Sequence, residues 1–594
     1  MSKSTQITII AVFLAALALG ILGYFSYAYP EANLLSTISR VARIRAGAKY
    51  PKTAKYNLHP DLREHRLYAL AQYDVLIVDM EAQHLCPERI AAIRKMNPDI
   101  KILAFVSMID IRIDSDQNRN WNQLRHQLYS QVNEKNWWLW DSNRRHVWYW
   151  PETYMTNPTT GWRDYLPQFV HDEILATGIW DGIVFDNVWD QASWVNNGNL
   201  DLNNDRVPET ASKINQSWRH DMTYMLAKMR RLNPDTIIIT NGDGDYRWYI
   251  NGRHFEELPN IYENGYIRMR DKYLRFEQTI HRRPKINIVN GSVIFKDIPD
   301  RPDWRLMRLS LATALMGDGY HDYDWGHENH NEGYRFDEYN VDLGEPVSGP
   351  MKIQMYAEHY NDFENGMMSP YRPTAGKSFV TFNPREVVDG RVSIKGDNRS
   401  GGTWNDFFRS DLNAIRFDIN GTYTATFKYK ILLGPEPGGY FYVMAQNRYN
   451  GQVEGFRSWT LKDGQVGEIS TVFELGQRDD YQLVFGVSGS GAISLDNIAI
   501  TPGDSDIFVW RRDYANAMVL ANPTPVRQRV ILPEPYVRID GKQEPNQNNG
   551  RIIGDVYLEP HDGIIIKKLS RWGKLKVYTA NIGNRLKEAW QNIF

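Results

Sequence analysis

From about residue 70 the chain alternates short apolar runs with stretches whose apolar residues recur at helical spacing. "YDVLIVDM" (Tyr73–Met80) and "KILAFVSM" (Lys101–Met108) read as buried strands. Between them "PERIAAIRKMNPD" (Pro87–Asp99) predicts a helix opened by proline and stopped by Asn-Pro. The alternation continues with a helix over Trp162–Gly178, the strand "DGIVFDN", a helix over Ser217–Asp235 and the strand "TIIITNGDG" (Thr236–Gly244). A short strand at Arg253–Pro259, a helix over Tyr266–Arg283, the strand "KINIVNG" and the helix "DWRLMRLSLATALMGDG", running into a last strand, complete it. Near-continuous apolar strands separated by helices predict a parallel sheet covered by helices. About eight such strands over some 300 residues fit an α/β fold closed as a (β/α)8 TIM barrel. A doubly wound open sheet is the alternative, but no Gly-x-Gly-x-x-Gly turn follows the first strand.

Near residue 375 the pattern changes to alternating strands with Gly and Asn-Gly turns, as in "RFDINGTYTATFKYKI" and "DYQLVFGVSGSGAISLDNIAI". The expected order is a barrel over 60–375, an inserted jelly-roll-like β-sandwich over 376–502, and a small C-terminal β domain over 503–568. The tail 569–594 reads as a basic amphipathic helix that docks on the body or touches lipid.

Residues 1–30 form a separate segment. The uncharged run Ile7–Tyr29 is long enough to cross a bilayer, which takes roughly 20 apolar residues. A cleaved signal ending near Ser26-Tyr27-Ala28 is the rival reading. Arg40, Arg43, Arg45 and Lys49 follow the run and by themselves argue for an inward-facing body. The expectation is nonetheless export with a membrane anchor, on the periplasmic or cell-surface side.

Composition narrows the classes. A net charge of −2 gives no reason to expect nucleic acid. The single cysteine, Cys86, excludes an internal disulfide framework and a multi-cysteine zinc site. The 19 Trp and 34 Tyr are more telling, because many stand among polar residues, as in "NWWLWDSNRRHVWYWPETY" (Asn136–Tyr154). Flat rings with polar rims suit sugars as well as they suit a core.

In a barrel the working residues lie at the C-terminal ends of the strands. Those ends carry Asp79 and Glu81, Ser107 and Asp110, Asp186 and Asn187, Asn241 and Asp243, Glu256 and Glu257, Asn287 and Asn290, and Asp318 with Asp322. The ring holds carboxylates and amides, with neither a Ser-His-Asp order nor a phosphate-binding loop. Two opposed carboxyls with hydroxyl-binding amides between them are what cleavage of a glycosidic bond requires.

The order "VDMEAQ", aromatic loop, "WDGIVFDNVWD", "DLNNDRVPE", "IIITNGDG", "NGRHFEELPN", "LMGDGYHDYD", "FDEYNVDLGEPV" resembles the glycosyl-hydrolase-like barrel families of bacteria. It is similar, more distantly, to the endo-galactosaminidase barrels. The resemblance covers about residues 60–375 and 505–568. It implies a catalytic Asp on the strand reading Asp-Gly-apolar-apolar-x-Asp and a Glu some strands later, which here are Asp186 and Glu256. It further implies a carbohydrate-binding character for the sandwich.

Strand alternation places Phe255 on the helix side and Glu256 inward. Asp186, beside Asn187, is expected to stay ionised as nucleophile. Glu256, beside an aromatic ring, is expected to be the general acid, with a retaining outcome. Asp79, Glu81, Asn187, Trp189, Asn241, Asp243, Glu257, Glu263, Asp318 and Asp322 are the expected substrate-binding residues. Catalysis calls for no cofactor. Asp201, Asn203, Asp205 and Glu209 stand at a spacing that fits a structural Ca2+, or equally an Asx-rich turn with no ion. The histidine-rich run "HDYDWGHENHNEGYRFDEY" matches no standard metal-ligand spacing and reads as a polar substrate loop. The function expected is hydrolysis of an O-glycosidic bond in an extracellular or cell-surface polysaccharide. A non-catalytic glycan-binding or scaffold protein of exopolysaccharide assembly is the alternative.

Overall fold

The computed structural model describes residues 50–258, 265–292, 302–324, 335–477, 480–570 and 573. The expected anchor 1–30, Glu263, residues 325–334 of the histidine-rich run and nearly all of the tail lie outside these residues. Among those described, no helix is long and apolar enough to cross a membrane.

Eight parallel strands close into a barrel. They are β1 (Lys52–Asn57), β2 (Val75–Asp79), β3 (Lys101–Ser107), β6 (Gly182–Asp186), β7 (Ile237–Asn241), β8 (Gly252–Leu258), β9 (Ile288–Ser292) and β10 (Tyr320–Asp324). A small hairpin of β4 (Asp110–Arg112) and β5 (Thr153–Met155) stands beside the end of β3. The main covering helices are α1 (Pro87–Met96), α2 (Gln123–Lys135), α3 (Trp162–Phe169), α4 (Ala211–Leu232), α5 (Gly265–Thr279) and α6 (Trp304–Met316).

The apolar runs became strands because each is buried on both faces. Their inward residues, among them Val75, Ile77, Leu103, Val184, Ile237, Ile239 and Ile288, fill the lumen. Their outward residues join the core beneath the helices. β1 escapes the apolar pattern because it carries Lys55, which is 1% exposed and paired to Asp324 at 2.6 Å and Asp322 at 3.6 Å on β10. The barrel therefore starts at Lys52 rather than near residue 60.

α6 is buried all round, from Met307 to Met316. A helix without a polar face needs cover on every side. The C-terminal sheet supplies it: Ala517, Val519, Ala521 and Ile565 join the main core, and Arg308 on α6 binds Asp562 through two bonds of 2.8 and 3.1 Å.

The boundaries downstream shift from those expected. Met351–Met355 pairs antiparallel with Phe508–Asp513 and belongs to the C-terminal sheet, so the sandwich is inserted within that sheet. His359–Asn361, paired with Ile498–Ile500, already lies in the sandwich, and so does Tyr371–Pro373. These strands run for only three to five residues, too short to show an alternation. The sandwich packs a six-stranded on a five-stranded sheet around an aromatic core that includes Phe407, Phe427, Phe473 and Phe485.

Candidate active site

Two positions beyond the lumen residues on each inward face comes the polar ring at the strand ends. Asp79, Ser107, Asp186 and Asn241 follow Ile77, Phe105, Val184 and Ile239 in this way. On β8 the inward parity is fixed by His254, whose ring lies 4.9 Å from that of Tyr56, so Glu256 faces inward as well. Phe255 faces out and packs edge-on against Tyr273 and Phe276 of α5, at 5.6 and 5.8 Å.

Asp186 and Glu256 converge on one atom. The Nδ2 of Asn241, on the strand between them, donates to Asp186 Oδ1 at 3.0 Å and to Glu256 Oε2 at 2.5 Å. Laid end to end these two bonds cap the separation of the two bonded oxygens, Asp186 Oδ1 and Glu256 Oε2, at about 5.5 Å. Burial, then the negative charge of Glu256 and that of Asp110, push the Asp186 carboxyl well above the usual range, while the Asn187 N–H and Asn241 pull the other way. The net direction runs against the expectation that Asp186 stays ionised. Asn187 does donate its backbone N–H to Asp186 Oδ1, at 2.8 Å, but burial and the like charges outweigh it.

Both carboxyls stand just before a left-handed residue, Asn187 at φ 59° and Glu257 at φ 61°. The turn ends β6 at Asp186 and accompanies a bulge in β8 before Leu258. It turns Asn187 so that its Nδ2 reaches Ser107 Oγ and Asp110 Oδ2, both at 3.5 Å, while its Oδ1 accepts the indole N–H of Trp150 at 3.2 Å. Ser107 donates to Asp110, whose carboxyl burial pushes up. Gly242, at φ 134°, lets the β6 and β7 loops touch: a Cβ there would lie 2.5 Å from the Val188 carbonyl oxygen.

The other expected residues divide. Trp189 is nearly buried in the wall beside Tyr149 and Trp194. Asp243 is exposed at the mouth and accepts the Asp190 N–H at 3.2 Å. Glu257 lies in a bulge of β8, its N–H bonded to Asn290 Oδ1 at 3.2 Å. Asp322, 1% exposed, accepts from the Tyr56 and Tyr323 N–H groups at 3.0 and 2.8 Å and from Asn290 at 3.3 Å. Asp79 is held by both terminal nitrogens of Arg125, at 2.9 and 2.6 Å. Glu81 is fully buried and caps α2, accepting from Leu124 and Arg125 N–H at 3.1 and 2.8 Å. Its oxygens serve a helix N-terminus.

Asp318 is a correction. It precedes β10 and so lies at the N-terminal end of the barrel, opposite the ring, where Arg512 binds it at 2.8 Å.

Asp201, Asn203, Asp205 and Glu209 do meet in one loop. Asp201 accepts the Asp205 and Arg206 N–H groups at 3.1 and 2.9 Å, Asn203 bonds Asp205, and Glu209 accepts the Leu202 N–H at 2.8 Å. Among the described residues no group of three or more His, Cys, Asp or Glu is placed to hold a metal ion.

Sequence reasoning passed over Tyr56, Arg125 and Trp150. Tyr56 lies on the strand that the apolar pattern hides, and its hydroxyl is pushed up by burial and by the charges of Asp186 and Glu256. Arg125 opens an exposed-looking helix, with no local sign that it returns to Asp79. Trp150 sat within a run of rings that no spacing rule sorts.

Residues 94–367 match the model of a family described as "Hypothetical glycosyl hydrolase family 15", so the barrel is similar to that family over this stretch. No curated protein matches the sequence. Among solved structures, the glycoside hydrolase domain of PelA from Pseudomonas aeruginosa is 13% identical, with 48% of this chain and 96% of that one covered and a TM-score of 0.31. The CBM22-1 xylan-binding domain of Paenibacillus barcinonensis Xyn10C is 17% identical, with 26% and 98% covered and a TM-score of 0.22. A cycloisomaltooligosaccharide glucanotransferase of a Paenibacillus species is 10% identical, with 88% and 84% covered and a TM-score of 0.31.

Proposed function

We propose that this protein is a glycoside hydrolase that cleaves an O-glycosidic bond in an extracellular or cell-surface polysaccharide, with Asp186 and Glu256 as its two working carboxyls. The observation that carries the reading is the single Asn241 nitrogen bonded to both. Two carboxyls about 5–5.5 Å apart suit a double displacement, whereas direct attack by water needs roughly 6.5–9.5 Å between them.

The raised carboxyl of Asp186 supports the reverse of the expected roles, with Asp186 as acid and Glu256 as nucleophile. Its Oδ1 already accepts from Asn187 and Asn241, which leaves Oδ2 to carry the proton. In the first step Asp186 gives that proton to the glycosidic oxygen, the bond to the anomeric carbon breaks, and Glu256 bonds to that carbon. In the second step Asp186 takes a proton from water, the water oxygen bonds to the anomeric carbon, and Glu256 is released. The configuration is retained. The Asn241 amide holds the pair at working distance and can follow charge as it moves from Asp186 to Glu256 and back. The run Ile7–Tyr29 supports placing this activity on the outer side of a membrane.

The test is release of reducing ends from a panel of neutral, acidic and amino-sugar polysaccharides by the wild type and by Glu256→Gln. Release by the wild type alone supports a hydrolase. Binding without release on every glycan favours the scaffold alternative.

A further inference from the structure

The run Asn136–Tyr154 splits in the fold into two groups with different surroundings. Trp138 is buried, and His146 lies between Trp140 and Tyr154 with ring centroids 4.1 and 4.0 Å away; these rings pack on each other. Tyr149 and Trp150 face the barrel mouth instead. Trp150 is 38% exposed although its indole N–H is fixed to the side chain that follows Asp186. Tyr149 meets Trp150 at 4.9 Å, Trp189 at 4.9 Å and Trp194 at 5.2 Å, all edge to face, and Trp189 meets Trp194 at 4.8 Å. Trp194 is 48% exposed.

The arrangement is a wall of four rings. Its inner end is tied to the catalytic strand and its outer end opens to solvent. Exposing two large indoles is costly in water unless something covers them. Edge-to-face contacts fix each ring in orientation, so an incoming apolar face meets a rigid surface and little ordering remains to be done on binding. The alternating C–H and hydroxyl faces of a pyranose suit such a surface, and successive sugars of one chain can lie on successive rings.

We propose that Trp150 and Trp194 are successive stacking positions for one glycan chain. Trp150 takes the sugar nearest the Asp186–Glu256 pair, and Trp194 takes a sugar farther along the chain. The substrate is then an oligosaccharide or polymer engaged over several residues rather than a terminal monosaccharide. The inference rests on the hydrolase reading and adds to it the chain length that the site measures.

The test uses the full chain and oligosaccharides of increasing length, prepared by partial hydrolysis of a polymer that the wild type degrades. Trp194→Ala should lower kcat/KM about tenfold on the longest chains and at most about twofold on the shortest ones cleaved, acting through KM. Trp194→Phe should recover most of the loss. Trp150→Ala should lower kcat/KM at every length. An equal factor for Trp194→Ala at all lengths, or no loss on long chains, overturns the proposal. Failure of the hydrolase reading is a separate result. If the wild type releases nothing from any polymer, quenching of its tryptophan fluorescence by xylan, a soluble β-glucan, alginate or chitosan decides the matter. Quenching lost in the Trp150→Ala/Trp194→Ala double variant keeps the wall as a glycan site, and equal quenching, or none, removes it.

Discussion

Asp186 Oδ1 and Glu256 Oε2 hydrogen-bond to the same nitrogen, Nδ2 of Asn241, although their strands are not neighbours. An amide nitrogen carries two hydrogens at a fixed angle, so it sets both the distance and the relative direction of the two carboxyls. Removing either carboxyl should remove chemistry; removing the amide should only misplace it.

Asp186→Asn and Glu256→Gln are each expected to lower kcat by about a thousandfold or more, with the fold intact by circular dichroism. Asn241→Ala should cost about a hundredfold. Glu257→Gln should remain within a few-fold of wild type, because it is Glu256 that shares the Asn241 nitrogen with Asp186. Steady-state kinetics on any cleaved polymer checks the order, and a dead Glu257→Gln beside an active Glu256→Gln would reverse the register of β8.

Asp186 should also destabilise the fold in a pH-dependent way. Its carboxyl is raised in the folded protein above the value of about 3.9 found in an unfolded chain. Below that value it is protonated in both states and contributes nothing to the pH dependence. As pH rises, the unfolded chain releases the proton while the folded one keeps it, so stability falls until the folded value is passed. Asp186→Asn keeps an oxygen for Asn187 and Asn241 and removes this loss. Its Tm should exceed that of wild type at pH 7, with the gap closing near pH 4. A lower Tm at pH 7 would show that the buried charge is not opposed as described.

Asp79 and Glu81 should matter for stability more than for substrate. Asp79→Ala leaves the Arg125 guanidinium without its two-point partner and should cost about 3 kcal/mol in denaturant unfolding, with KM little changed. A variant of wild-type stability and raised KM would return Asp79 to the substrate site.

Gly242→Ala tests the contact between the β6 and β7 loops. The new Cβ would meet the Val188 carbonyl, and the backbone there is one that side chains rarely adopt. A loss of about 1–3 kcal/mol is expected, with a fall in kcat, since Val188 is joined directly to Asn187. Wild-type kcat in this variant would show that the loop contact does not position Asn187.

Much of the site was legible because strand alternation is a local rule. Once an apolar run is placed as a barrel strand, the residue at its end falls inward or outward by parity, and Asp186, Asn241 and Glu256 follow. Asp318 misled because it lies next to a strand, and an Asp before the strand looks in sequence much like one after it. β1 was missed since its buried lysine is neutralised by Asp324 and Asp322, which stand more than 260 residues away. The upward push on the Asp186 carboxyl comes first from burial, then from Glu256 and from Asp110, and neither burial nor the approach of Asp110 leaves a periodic trace in the sequence. The sandwich was visible by its turns, but its seam was not: Met351–Met355 gives no sign that its partner follows an insertion of some 150 residues.

The most direct test of the paired-carboxyl account is the anomeric configuration of the first product formed, followed by proton NMR from the moment of enzyme addition. The proposed double displacement, with Asp186 Oδ1 and Glu256 Oε2 held on one nitrogen, predicts that the new reducing end first appears in the configuration of the bond that was cleaved, and only later mutarotates. Initial appearance of the opposite anomer would mean that water attacks directly and that Asp186 and Glu256 do not act at the distance Asn241 sets.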